Sequence, residues 1–132
     1  MTLFVDASAL VAIIAGEPDR DDLLDRLAQG GEALWSPMSC WETVSGLRSS
    51  HGLDTPVARR EAEQAARDLD LRLVPVGTEE LRVALDAYER YGKRSGHPAR
   101  LNMGDCFAYA CAKANGAGLL YKGDDFTHTD LA

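Results

Sequence analysis

The 132-residue sequence contains no long hydrophobic run and no excess of positive charge. No stretch approaches the roughly 18 apolar residues that a membrane span requires, so we expect no membrane association. The first residues, MTLFVDASAL, lack the basic region that opens a secretory signal. These absences predict a cytoplasmic protein.

Cysteine is scarce, with three residues in the chain: Cys40, Cys106 and Cys111. They form neither a CxxC nor a CxxH pattern, so the sequence predicts no structural zinc site. Each lies within a helical apolar pattern, which favours buried free thiols in a reducing compartment.

Several catalytic and binding motifs are also missing. The chain has no GxxxxGK[ST] or GxGxxG phosphate loop and no GxSxG nucleophile turn. Its histidines, His51, His97 and His128, show no metal-ligand spacing. Nucleotide-binding loops, serine hydrolases and histidine-rich metal sites are therefore not predicted.

The formal net charge of −7 argues against a general nucleic-acid-binding protein, whose affinity normally depends on a basic surface. Acids clustered around metal ions would reverse the local sign of that charge. The acidity therefore lowers the expectation of a nucleic-acid partner without removing it.

Short apolar runs alternate with helical patterns along the chain. The sequence predicts strands at Leu3–Val5, Ala33–Trp35, 71–76 and 119–121. We expect Ser8 to cap the first helix, Ser39 the third and Asn102 the last. This alternation predicts one α/β domain over residues 1–132, with a mostly parallel sheet between helical layers.

Acidic residues follow two of these strands and open two of the helices. Asp6 ends the first strand, Asp124 and Asp125 follow the fourth, and Glu42 and Asp105 lie in the first turns of helices. Ligands of parallel sheets collect at the carboxyl ends of the strands. A cluster of carboxylates there would suit Mg²⁺ or Mn²⁺.

Each acid also has a structural explanation. Glu42 and Asp105 each stand three residues after a candidate cap, where an acid stabilises the helix start. Asp124 and Asp125 are also explained as solvated loop acids. Asp6 is the hardest to explain structurally, because an acid directly after an apolar strand is partly buried and needs a partner.

Four segments, in this order, resemble the PIN domain, and more narrowly the VapC-type ribonuclease toxins of type II toxin–antitoxin systems: FVDASAL, SCWETVSGL, LNMGDCFAYACAK and LLYKGDDFTHTDL. The resemblance implies a three-layer α/β/α fold with about five central strands. It also implies a Mg²⁺- or Mn²⁺-dependent endoribonuclease that leaves a 3′-hydroxyl and a 5′-phosphate. Such toxins are commonly homodimers and are inhibited by a cognate antitoxin.

The family's acidic positions fall on Asp6, Glu42, Asp105 and Asp125, and its hydroxyl near the first acid falls on Ser8. Asp124 is the alternative to Asp125 as the last metal ligand. Asp6 and Asp105 are expected to bind the metal directly, with Asn102 in a supporting role. Glu42 and Asp125 would bind through water or complete a second, weaker site.

Four basic residues flank the acidic segments and would guide an RNA backbone, although ordinary surface charge explains each of them as well: Lys93, Arg94, Arg100 and Lys122. Two other functions compete with RNA cleavage. The first is a regulatory module that mainly binds an antitoxin and has little catalytic activity. An aspartyl-phosphate phosphotransferase usually has a second Asp two residues after the first, where this chain has Ser8.

Overall fold

The computed structural model describes residues 1–132 as four short strands and six helices. The strands are β1 (Leu3–Val5), β2 (Ala33–Trp35), β3 (Leu71–Leu73) and β4 (Gly118–Leu120). The helices are α1 (Ala7–Ala15), α2 (Arg20–Gln29), α3 (Pro37–His51), α4 (Thr55–Asp68), α5 (Thr78–Tyr91) and α6 (Met103–Ala114). No helix has both the length and the apolar character needed to cross a membrane.

The strands form one fully parallel sheet in the order β3-β2-β1-β4. The central strand β1 pairs with β4 from Leu3 opposite Gly118 to Val5 opposite Leu120. The predicted α/β architecture is confirmed, but the expectation of about five strands is wrong by one. Residues 121–132 form turns and no strand.

The predicted third strand is also too long, because β3 stops at Leu73 rather than at residue 76. Val74 still donates its N–H to the Trp35 carbonyl at 2.8 Å. Pro75 then has no N–H to donate, which ends the hydrogen-bonded ladder. Apolar composition alone therefore overstated the strand.

Consecutive strand residues point to opposite faces of the sheet, and this alternation creates two cores. Phe4 and Leu34 pack with α5 and α6 on one face. Val5, Trp35 and Leu120 pack with α1 and α2 on the other. The result is the predicted three-layer arrangement. Two of the three free thiols, Cys106 and Cys111, are buried, and Cys40 is half-buried.

Two of the predicted helix starts are displaced. The cap of α1 is Asp6 and not Ser8, since the Asp6 carboxylate accepts the Ser8 N–H. Helix α3 begins at Pro37, and Ser36 and Ser39 form its capping box. Glu42 therefore lies a turn further into the helix than predicted, and its structural explanation as a capping residue is wrong.

The start of α6 is as predicted. The Asp105 N–H donates to Asn102 Oδ1 at 2.8 Å, and the Asn102 N–H donates to Asp105 Oδ2 at 3.0 Å. Asp105 thus uses one oxygen in the capping box and keeps the other for a further partner.

Candidate functional site

A cavity of about 460 Å³ lies where β1 and β4 end. Four carboxylates without an ion-pair partner line it: Asp6 after β1, Glu42 on α3, Asp105 on α6 and Asp125 after β4. Glu17, which pairs with Lys122, lines it as well. We call it the acidic cavity. It brings together the four acids selected from the sequence, although they are up to 119 positions apart in the chain.

Asp6 is the most buried of the four, with 6% of its surface exposed. Its Oδ2 accepts the Ser8 N–H at 3.1 Å and the Ser8 hydroxyl at 2.5 Å. Burial raises the pKa of Asp6, the two hydrogen bonds from Ser8 oppose the rise, and the nearby charge of Asp125 adds to it. Ser8 therefore orients this carboxylate and helps to keep it ionised.

Glu42 approaches the first turn of α6 very closely. A Cβ built on Gly104 would lie 1.9 Å from Glu42 Oε2, so any side chain at that position would displace the carboxylate. Burial, followed by the charges of Asp6 and Asp105, raises the pKa of Glu42 to about 7. The glycine in the MGD segment is thus what allows Glu42 to reach the cavity.

Asp105 is half-buried, and burial raises its pKa to about 6. The hydrogen bond from the Asn102 backbone lowers this pKa, while the charges of Asp125 and Asp6 raise it. Lys93 also lies near enough to lower it. Without a counter-ion, the acids of the cavity repel one another.

Asp125 and Asp124 differ in position even though both are exposed. Asp125 lines the acidic cavity, and Asp124 does not. The Asp124 carbonyl instead accepts the Thr127 hydroxyl at 2.7 Å, which starts the turn that follows. Of the two candidates, Asp125 is therefore the one placed to meet a ligand in the cavity.

The donor set of the cavity fits a hard divalent cation. All four acids offer oxygen ligands, and Mg²⁺ commonly uses one or two carboxylates while it keeps several waters. No three Asp, Glu, His or Cys side chains converge closely enough to enclose an ion by themselves. The four acids would therefore hold such a cation partly through its water molecules.

A second group of charges at the rim of the cavity was missed by the sequence analysis. Lys122 pairs with Glu17 and lies 3.2 Å from Asp19, and the other Glu17 oxygen meets His51 Nε2 at 2.8 Å. The Lys122 N–H also donates to Ser8 Oγ at 3.0 Å. No local pattern predicts Glu17, because its partner stands 105 positions away.

The four basic residues predicted to guide RNA occupy different places. Lys122 lines the acidic cavity. Lys93 and Arg94 line a separate cavity of about 650 Å³ between α5 and α6, together with Asn102. Arg100 is exposed and lines neither of these two cavities. Contact of these residues with RNA stays a prediction.

Comparison with known proteins identifies the family. Residues 3–131 match the PIN domain. A VapC ribonuclease of Rhizobium meliloti is 42% identical over 139 residues, which cover 97% of this chain and 98% of the relative. The fold matches that of VapBC2 from Rickettsia felis, bound to a DNA fragment from its promoter, with a TM-score of 0.75, 15% identity and coverage of 99% and 95%.

A toxin–antitoxin complex from Klebsiella pneumoniae has the same fold, with a TM-score of 0.69 and 15% identity over 99% of this chain and 94% of the matched one. Likeness at this low identity concerns the fold alone. The family follows from the domain match and from the 42% identical relative, both of which extend over nearly the whole chain. The chain belongs to the PIN-domain family and, within it, to the VapC ribonucleases.

Proposed function

We propose that this protein is the toxin of a type II toxin–antitoxin pair and cleaves RNA as a Mg²⁺- or Mn²⁺-dependent endoribonuclease. The observation that carries the proposal is the acidic cavity, where carboxylates from four segments line one space of about 460 Å³. Repulsion among these carboxylates is unfavourable for folding, and a bound divalent cation relieves it.

The hydrogen-bond surroundings of the four acids suggest different roles for them in metal binding. Asp6, oriented by Ser8, and Asp105, fixed by Asn102, are the direct ligands because hydrogen bonds already hold both carboxylates in place. Glu42 and Asp125 act through water or complete a second, weaker site. A bound cation supplies Lewis acidity, activates water and neutralises charge on the scissile phosphate.

The basic residues have a different role in this proposal. Lys93 and Arg94 beside α6 contact phosphates near the cleaved bond, and Lys122 at the cavity rim joins them when it leaves its ion pairs with Glu17 and Asp19. Such contacts position the RNA without reading its sequence. They offset the net charge of −7 locally, where the substrate approaches.

Partners follow from the family and from the surface. In this proposal the protein acts in the cytoplasm and is held inactive by a cognate antitoxin, and the fold match to a toxin–antitoxin complex from Klebsiella pneumoniae supports a partner of that kind. Leu81, Leu85 and Tyr88 are each about half exposed along one side of α5. An apolar surface of that kind favours a homodimer.

The alternative function is a regulatory module that binds an antitoxin but cleaves little. Inactive members of an enzyme family lose catalytic side chains, whereas all four acidic positions are intact here and line one cavity. The capping box that holds Asp105 is intact as well. These features favour the enzyme.

The test uses the purified protein and single-stranded RNA. Asp105→Asn keeps the shape and the capping box but removes a ligand charge, so cleavage should fall at least about 100-fold. Asp124→Asn is the matched control and should cleave like the parent, because Asp124 does not line the cavity. Unchanged cleavage by Asp105→Asn, or cleavage that survives full chelation, would contradict the proposal.

A further inference from the structure

Trp41 is the most exposed aromatic residue beside the acidic cavity. It directly precedes Glu42 on α3, and 68% of its surface is exposed. The chain's other tryptophan, Trp35, is only 7% exposed and belongs to the core. A large ring left in solvent next to a candidate metal ligand calls for a binding partner.

Two grooves adjoin the ring. Trp41 lines an apolar groove of about 470 Å³ with Val76, Met103 and Glu42, which we call the Trp41 groove. Because Glu42 also lines the acidic cavity, the two spaces adjoin. Met103, which also lines this groove, is 64% exposed.

Cations lie on both sides of the Trp41 groove. Met103 also lines the cavity between α5 and α6, which holds Lys93 and Arg94. On its other side, Trp41 lines a groove along α3 that contains Arg48. An exposed ring between a carboxylate cavity and flanking cations matches the chemistry of a nucleotide, which has one flat base and one phosphate.

We propose that the Trp41 groove is a nucleobase subsite, in which a base next to the cleaved phosphodiester stacks on the Trp41 indole. This inference rests on the proposed RNA cleavage and adds a requirement to it. The base must be unpaired and turned out of any helix, so the enzyme prefers single-stranded segments and loops. Stacking itself accepts any base, because every base has a π face.

The competing occupants of this groove are the antitoxin proposed above and a second copy of the chain. A copy seated there would cover Glu42, which lines both the groove and the acidic cavity, and would restrict RNA access to the acids. The exposed apolar side chains of α5 offer an alternative surface for self-association, which shares Met103 with the Trp41 groove but does not include Glu42. A nucleobase is therefore the occupant that the site favours.

The first experiment measures cleavage of a short single-stranded oligoribonucleotide at saturating Mg²⁺. Trp41→Ala should raise KM about 5- to 100-fold with kcat nearly unchanged, and Trp41→Phe should fall between it and the parent. The Mg²⁺ concentration for half-maximal rate should stay the same in both variants, because Glu42 is untouched. Leu73→Ala is the control, since Leu73 is 56% exposed but lines none of these grooves.

The second experiment does not depend on cleavage. In an Asp105→Asn background, the same oligoribonucleotide should quench tryptophan fluorescence, and an abasic strand of equal length should not. Trp41→Phe should abolish the quenching, because Trp35 is buried. If no variant ever cleaves RNA, the proposed function fails, while the quenching still decides whether the subsite exists.

Three outcomes would overturn the subsite. The abasic strand could quench as strongly as the intact one, which would indicate phosphate binding alone. Trp41→Ala could leave KM unchanged. Trp41→Ala could also convert a dimer into a monomer in analytical ultracentrifugation while RNA binding stays intact, which would assign the groove to a second copy.

Discussion

Two acidic residues lie at the two halves of helix α6, and their electrostatic surroundings are opposite. Asp105 belongs to the first half of the helix, and Asp130 packs against the second half. Asp105 near the start of α6 faces the acidic cavity, and burial with neighbouring acids raises its pKa to about 6. Asp130 packs against its second half, where it accepts the Tyr109 hydroxyl at 2.7 Å and the Lys113 ammonium at 2.5 Å. Burial raises the pKa of Asp130, but those two hydrogen bonds outweigh it and the pKa falls below its usual range.

This difference in electrostatic surroundings indicates that Asp105 serves ligand binding and that Asp130 serves stability. Every partner of Asp130 is already present, and its carboxylate fastens the C-terminal turns to α6. Asp105 has only the hydrogen bond of its capping box and meets further negative charge in the cavity. An acid whose neighbours are unfavourable in the free protein indicates a missing counter-charge.

Among variants that leave every acidic side chain in place, Gly104→Ala should have the largest effect, and it should alter only the cavity side of the comparison. The new methyl group would meet Glu42 Oε2, and the flexible Glu42 side chain would swing out of the cavity. RNA cleavage should fall about 10- to 100-fold. Alanine favours a helix over glycine by about 1 kcal/mol, so the free energy of unfolding should stay level or rise.

Glu42→Gln is the matched variant for that experiment, because it alters the same carboxylate without the steric change. If Gly104→Ala cleaves RNA as well as the parent, the close approach of Glu42 to α6 has no functional meaning. If it unfolds the protein, the Glu42 side chain does not move aside as expected. Urea denaturation and single-turnover cleavage separate these outcomes.

A smaller effect is expected on the free energy of unfolding, which Asp105→Asn and Asp130→Asn should change in opposite directions. In metal-free buffer at neutral pH, Asp105→Asn should raise the free energy of unfolding by about 1 kcal/mol, since it removes repulsion in a partly exposed site. Asp130→Asn should lower it by about 1 kcal/mol, since it weakens two charge-assisted hydrogen bonds. Chemical denaturation measures both.

Magnesium provides the control for that pair. Ligand at 100 times its dissociation constant stabilises a folded protein by about 2.7 kcal/mol. The parent and Asp130→Asn should both gain stability in Mg²⁺, and Asp105→Asn should gain much less. Equal gains in all three proteins would contradict a metal site at Asp105.

The smallest effect is the pH dependence of the Asp130 contact. Its folded-state pKa lies below the ordinary value of 3.8, so its contribution to stability is complete above that pH. The contribution is lost as the pH falls through the lowered pKa. The stability difference between the parent and Asp130→Asn should therefore vanish only in strong acid, and a difference that disappears near neutral pH would contradict this account.

Sequence patterns were sufficient for the architecture and for placing the acidic segments at one edge of the sheet, while the family resemblance selected the four acids. Short apolar runs predicted all four strands, and Asn102 with Asp105 predicted the start of α6. Both depend on local chemistry, which a sequence displays directly. The metal itself and the RNA contacts stay predictions.

Other features were beyond local reasoning. Ser36 and Ser39 compete for the same role, and only the structure shows that α3 starts at Pro37, which frees Glu42 from capping. The pairing of Glu17 with Lys122 joins segments that are distant in the chain. The approach of Glu42 to Gly104 depends on how two helices pack, which no spacing encodes.

The parallel pairing of β1 with β4 has a consequence for synthesis. Asp6 is made 119 positions before Asp125, and they meet only after β4 has docked beside β1. A nascent chain on the ribosome therefore lacks a complete acidic cavity until residue 125 has emerged and the sheet has closed. The order of the strands therefore delays RNA cleavage until β4 has emerged and docked beside β1.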